Sequence, residues 1–353
     1  MTKRVLVALS GGVDSAVAAF LLKEMGYQVI GIHFNVIPQS KYFHNLKKNE
    51  NDLKSICEKL DIPLQIIDLQ TEFQSQIIDN FCAEYIAGRT PNPCVLCNRI
   101  IKFKSLLEYA IKYDAQKIAT GHYAIIDYDK SKNQWLLRQA VDKQKDQSYV
   151  LYKLNQEILT KTYLPLGKLT KSEVRSIAQK LHLTVADKPD SQEVCFIPDR
   201  NYIKFITSAQ SYQPQTGNII NLQGKVIGKH PGIIYYTIGQ RKRIGIASKK
   251  PYYVVKIDVK NNQIIVGEEK DVYQKRFQVK DLNYINFKRL TKTINAQVKI
   301  RYTHQPALAL IKPINDRVEV EFQEAQWAIT PGQAAVFYDH DIVIGGGTIE
   351  YVL

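Results

Sequence analysis

The stretch RVLVALSGGVDSAVAAFLL, residues 4–22, constrains the fold more than any other. Val5 to Leu9 form an apolar run, Ser10 to Ser15 a glycine-bearing turn, and Ala16 onward a helical pattern. A buried strand running through a short loop into a helix is the opening unit of an α/β domain. Backbone N–H groups at the helix start, together with roughly half a positive charge of helix dipole, make such a loop an anion site. Gly11 and Gly12 allow close backbone approach, and Ser10 and Ser15 offer hydroxyls. Asp14 is unusual beside phosphate; it can cap the helix or help hold a cation such as Mg²⁺. No Lys follows the glycines, so this is not the loop of γ-phosphoryl transfer enzymes.

Strand and helix signals alternate over the first 200 residues: YQVIGIHFNV, PLQIIDL and KIATGHYAII read as strands, and NDLKSICEKLDI, FQSQIIDNFCAEYIAG, IIKFKSLLEYAIKYDA and KSEVRSIAQKLHL as helices. This predicts an α/β N-terminal domain with a doubly wound parallel sheet and ligands at the carboxyl ends of its strands. Residues 131–150 read as a polar excursion. From about 205 glycines punctuate short β segments, and from about 275 QVKIRYTH, ALALIKP, RVEVEFQE, QAAVFYD and DIVIGGGTIEYVL predict a small barrel or sandwich. The expected division is 1–204, 205–274 and 275–353.

Net charge is +14, and residues 200–257 carry ten basic and no acidic residues, interleaved with tyrosines. A one-sign block with aromatics is the footprint of a polyanion-binding surface. No apolar run approaches the ~20 residues of a membrane span, and the N-terminus offers no export signal. With five cysteines, Cys57, Cys82, Cys94, Cys97 and Cys195, the expectation is free thiols in a reducing compartment. Cys57 and Cys82 fall on apolar helix positions and read as core. Cys94 and Cys97 form a C-x-x-C where a Pro-rich loop opens a helix, a setting that lowers a thiol pKa from ~8.5. Cys195 lies in PDSQEVCFIPD, far along the chain. Two readings stay open: an iron–sulfur cluster on Cys94, Cys97 and Cys195 with one open iron site, and a sulfur relay in which two remote thiols converge.

SGGVDS resembles the pyrophosphatase loop of ATP pyrophosphatases, which transfer AMP to a substrate oxygen. SGGVDS, AGRTPNPCVLCNRIIKF, ATGHYA, KDQSYVLY, KPDSQEVCFIP, TIGQRK, RY and TPGQAAVFYD together are similar, in order and over essentially the whole chain, to the tRNA-specific 2-thiouridylases of bacteria and organelles. That resemblance implies an adenylating domain, a small central domain and a C-terminal β-barrel, with 2-thiolation of the wobble uridine of tRNAs for Lys, Glu and Gln. It implies ATP binding by Ala8, Leu9, Ser10, Gly11, Gly12, Val13, Asp14 and Ser15, with Phe34 by the adenine and Gly121 at the nucleotide. It implies contact with tRNA by Asn92, Pro93, Cys94, His122, Lys145, Asp146, Gln147, Arg301, Tyr302 and Gln333. Cys97 matches the nucleophile and Cys195 the persulfide carrier, the two forming a transient disulfide. The expected partners are the tRNA anticodon stem-loop and a persulfide donor such as a cysteine desulfurase or sulfur-relay protein, in bacterial cytoplasm or an organelle stroma or matrix. Cys94 stands where many members carry Asp, and Arg243 where Gly is commoner. The rival functions are an iron–sulfur-dependent thiolase with the same loop and a synthetase that adenylates a carboxylate.

Overall fold

The structure, a computed structural model, describes residues 3–38, 50–189, 194–197 and 201–353. The opening strand β1 (Arg4–Ala8) buries Val5, Leu6 and Val7 completely, as a strand covered on both faces must. It runs through the glycine loop into the helix Val13–Glu24, whose Ala16, Val17, Ala18, Ala19 and Leu22 are packed away from solvent. Then follow β2 (Gln28–Asn35), β3 (Leu64–Asp68) and β4 (Lys117–Ala119). The chain leaves the sheet for the hairpin β5 (Ala124–Asp129) and β6 (Gln134–Gln139), and returns in β7 (Thr162–Tyr163). The parallel sheet has the order β3-β2-β1-β4-β7. The chain moves outward from β1 to β3, then crosses to β4, so the topological switch point lies between β1 and β4. Ligands bind in the crevice at such a point. The glycine loop follows β1 and the Thr120–Tyr123 turn follows β4, so both border it.

The segment read as one strand, KIATGHYAII, is therefore two strands in different sheets, split at Thr120–Tyr123. The excursion expected at 131–150 is partly β6, which pairs with the barrel.

The central region holds β8 (Gly217–Asn221), β9 (Val226–His230), β10 (Tyr253–Asp258) and β11 (Gln263–Gly267), in the order β10-β11-β8-β9. Six strands follow: β12 (Tyr273–Tyr284), β13 (Ile294–Lys299), β14 (Ala307–Ile314), β15 (Arg317–Trp327), β16 (Ala334–Asp339) and β17 (Ile342–Val352). They run β12-β15-β14-β13-β16-β17, and pairing of β12 with β17 closes the barrel. Closure leaves no barrel edge unpaired. Its interior is packed with Phe277, Val298, Ile311, Val320, Phe322 and Phe337. The β5–β6 hairpin continues this sheet beyond β17, tied by Arg138 to Asp341 at 3.0 Å. Among the described residues no helix is long and apolar enough to cross a membrane.

Candidate active site

The glycine loop is shaped by its own backbone. Gly11 sits at φ +76°, a conformation that favours glycine. Ser15 Oγ donates to the Gly12 carbonyl at 3.0 Å and accepts from the Ser10 amide at 3.2 Å. The helix N-cap is Gly12 and makes no side-chain cap bond, so Asp14 is not the cap anticipated from sequence. Its carboxylate takes both oxygens to Lys171 Nζ, at 2.7 and 2.9 Å, and accepts from Tyr123 Oη at 2.7 Å. Lys171 opens the helix Lys171–Lys180 and is 9% exposed. The lysine absent from the loop thus reaches it from another element. Nothing local in the sequence marks Lys171 as a partner of Asp14; its position shows only the start of a helix. Any Mg²⁺ at Asp14 competes with that ammonium, and the described residues contain no trio of His, Cys, Asp or Glu side chains placed to hold a metal. Magnesium fits here as the counterion of ATP phosphates rather than in a protein cage.

The Thr120–Tyr123 turn rests on this loop. A Cβ at Gly121 falls 2.8 Å from the Asp14 carbonyl carbon and the Ser15 nitrogen, a clash with backbone that only glycine avoids. Ala8 and Phe34 are half-buried where β1 and β2 end, Leu9 and Val13 are core, and Phe34 packs against the apolar cluster. His122 is 8% exposed, bonds Thr120 Oγ1 through Nδ1 at 2.8 Å, and stacks on Phe103 at 5.9 Å. Burial, helped by Lys102, drives its pKa well below the usual value, so the imidazole is neutral.

Lys102 joins this turn to the thiols. The helix Pro93–Cys97 starts with Asn92 as N-cap, its Oδ1 accepting from the Cys94 amide at 3.2 Å, and Pro93 in the first turn. It continues through a π-helical segment, Asn98–Phe103, into the helix Lys104–Lys112. Cys195 is brought to it by its neighbour Phe196, which packs on Phe73 at 5.6 Å and Phe81 at 5.3 Å. These two flank Gln74–Ile78, the segment on which the Pro93–Cys97 helix rests. Residues 190–193 and 198–200, either side of Cys195 in the motif, lie outside the described residues. All three thiols are free; Cys94 and Cys195 are exposed and Cys97 is partly so. Desolvation by the surrounding protein pushes all three upward, Cys97 to about 12. Lys102 opposes the rise at each, while charge on Cys195 and Cys94 adds to it at Cys97. The expectation of a helix-lowered thiol is corrected: Cys97 lies a full turn inside a continuous helical run, where the dipole has faded, and desolvation wins. Cys57 and Cys82 are buried, as expected.

The segment before the thiols is clamped by both β modules. The Thr90 amide donates to the Pro331 carbonyl at 2.9 Å, and Gln333 Nε2 donates to the Thr90 carbonyl at 2.8 Å. Thr90 Oγ1 also meets Thr237 Oγ1, in TIGQRK, at 3.3 Å. Several residues expected to face tRNA also bond within the protein. Asp146, 4% exposed, accepts from the Ala140 and Ser148 amides and from Ser148 Oγ. Gln147 exchanges two hydrogen bonds with the Tyr123 backbone. Arg301 donates to the Trp327 carbonyl at 2.7 Å and to the Ala328 carbonyl, and stacks over the Trp327 ring at 5.1 Å. Tyr302 is 39% exposed, with Lys299 5.6 Å from its ring. Cys94 and Asp146 lie close enough to raise its phenol pKa further, after burial. Lys145 is half-buried beside them.

A family model described as a tRNA methyl transferase HUP domain matches residues 3–199. One described as a tRNA methyl transferase PRC-barrel domain matches 204–268, and an aminomethyltransferase beta-barrel domain matches 274–349. The tRNA-specific 2-thiouridylase MnmA of Acetivibrio thermocellus is 45% identical over 356 residues, spanning 99% of each chain. That of Caldicellulosiruptor saccharolyticus is 47% identical over 362 residues and all of both chains. That of Carboxydothermus hydrogenoformans is 44% identical over 356 residues, 99% of this chain and 98% of the other.

Proposed function

The chain belongs to the tRNA-specific 2-thiouridylase family and is a tRNA sulfurtransferase; from that premise we propose that it adenylates the wobble uridine of tRNAs for Lys, Glu and Gln with ATP and delivers sulfur through Cys195 and Cys97. One observation carries the reading. The four-residue turn Thr120–Tyr123 touches the glycine loop through Gly121 and Tyr123, and the Lys102–Phe103 side of the thiol helix through His122. This shared turn supports a reading in which adenylation and sulfur transfer act on the same bound base.

Uridine O2 is a poor leaving group. Its attack on the ATP α-phosphate, with loss of pyrophosphate, turns it into a phosphate ester oxygen. Backbone amides of the loop and the Ser10 and Ser15 hydroxyls hold the departing pyrophosphate. Lys171, held on Asp14, would offer its ammonium to those oxygens, and a Mg²⁺ carried by the ATP phosphates would supply further charge neutralisation beside Asp14. The sulfane sulfur on Cys195 then reaches C2 with Cys97 as attacking thiol, and AMP leaves. The base comes from an already single-stranded loop, so unstacking costs at most a few kcal/mol. Arg241, Lys242 and Arg243, all exposed, hold the stem through phosphates. The sulfur donor is a persulfide-carrying protein, and the compartment is a reducing one, bacterial cytoplasm or organelle matrix. A carboxylate-adenylating synthetase has no use for thiols beside its phosphate loop.

Incubation with ATP and a persulfide source, followed by mass spectrometry of digested tRNA, should show sulfur replacing oxygen in a single anticodon uridine. Unaltered tRNA refutes the reading. Lys171→Met should slow pyrophosphate release about a hundredfold to a thousandfold, as the loss of one stabilising donor does; an unchanged rate removes Lys171 from the phosphate site.

A further inference from the structure

We propose that Cys94 is a third redox thiol of the sulfur relay, which exchanges onto the Cys97–Cys195 disulfide and returns Cys195 to its thiolate. The proposal rests on the relay reading above and adds a residue to it.

Cys94 and Cys97 occupy the same turn of the helix Pro93–Cys97, three positions apart. Residues so spaced have Cβ atoms about 5–6 Å apart, within reach of a disulfide after local adjustment. The N-cap bond from the Cys94 amide to Asn92 fixes the start of that turn. Cys94 is the exposed member of the pair and Cys97 the half-covered one. Cys195, anchored beside the same helix through Phe196, is also exposed, and it lies close enough to both helix thiols for their charges to interact. Lys102 faces all three and favours the thiolate at each.

The chemistry closes without an outside oxidant. The Cys97 thiolate attacks Cys195 Sγ of the persulfide. The sulfane S–S bond breaks, hydrosulfide leaves with the electron pair toward C2, and a Cys97–Cys195 disulfide forms. The Cys94 thiolate then attacks Cys97 Sγ. The Cys97–Cys195 bond breaks, a Cys94–Cys97 bond forms, and Cys195 departs as thiolate, ready for the next sulfane sulfur. This exchange moves no net electrons. The Cys94–Cys97 disulfide is finally reduced by a dithiol reductant, whose two thiols supply two electrons and two protons and become a disulfide.

The test uses the full chain, tRNA, ATP and Mg²⁺, with sodium disulfide as sulfane-sulfur source. Samples are quenched with iodoacetamide and mapped by non-reducing peptide mass spectrometry. Wild-type protein should carry the Cys94–Cys97 link with Cys195 alkylated. Cys94→Ser should instead hold the Cys97–Cys195 link, and with a dithiol present its later turnovers should run at least tenfold slower than its own first one. Cys94→Asp keeps a charge without a sulfur and should behave as Cys94→Ser does. A persistent Cys97–Cys195 link in wild type, or later turnovers of Cys94→Ser matching its first, overturns the proposal. Absence of thiouridine from wild type in the first turnover overturns the parent reading instead.

Discussion

The two halves of the candidate active site are built by opposite means. The phosphate half is local: β1, the glycine loop and the helix Val13–Glu24 are consecutive, and the loop's bonds run between Ser10, Gly12 and Ser15. The sulfur half is a junction. Its helix is preceded by Thr90, held by Pro331 and Gln333 of the barrel and by Thr237 of the central region, and its second thiol comes from residue 195. The difference teaches where each activity is vulnerable. The nucleotide loop depends on a few residues of close sequence, while the thiol pocket depends on the assembly of three regions.

The sharpest break between the halves is chemical. Cys97→Ala and Cys195→Ala should each lower thiolation by about three orders of magnitude or more, as loss of a nucleophile does, while tRNA-dependent pyrophosphate release continues. Quantifying both products in one reaction checks this. Gly121→Ala should do the reverse. The added methyl displaces the Asp14–Ser15 backbone, and kcat/KM for ATP should fall about a hundredfold, the cost of misplacing a reacting group by an ångström. A binding isotherm for tRNA should stay in place.

Acidity separates the halves next. Thiols raised by burial are mostly protonated at neutral pH, so single-turnover sulfur transfer should climb about tenfold per pH unit from 7 to 9. Pyrophosphate release should follow a flatter profile. The same shift works against stability at high pH: above about 9 the unfolded thiols ionise while Cys97, at about 12, does not, so the melting temperature should drop as pH rises. Gln333→Ala gives the smallest effect. It removes the hydrogen bond donated by Gln333 Nε2 to the Thr90 carbonyl, worth about 1 kcal/mol, and should slow thiolation several-fold while leaving the KM for ATP alone.

What could be read from sequence follows the same division. SGGVDS announced its structure because strand, loop and helix are contiguous and the physics of an anion at a helix start is local. The Pro-rich loop before Cys94 likewise announced that a helix opens at the thiols. The junction was not legible in this way. Asp146, Gln147, Arg301 and Gln333 look like surface polar residues, yet their partners are backbone groups of distant segments. Lys171 is separated from Asp14 by 157 residues, and no spacing rule links them. β12 escaped notice because Asp281, at φ +51°, sits in a register shift that breaks its alternation. The polarity of residues 124–139 concealed a hairpin whose partner strand comes two hundred positions later.

That last pairing sets a timetable for biogenesis. Arg138 waits 203 residues for Asp341, and Leu137 waits for Val343. At 5–20 residues per second, the nascent hairpin stays without its sheet for about 10–40 s. Part of the N-terminal region therefore cannot finish folding on the ribosome, and a product truncated before β17 emerges with an open barrel and a solvent-facing strand that quality-control proteases and chaperones are built to recognise.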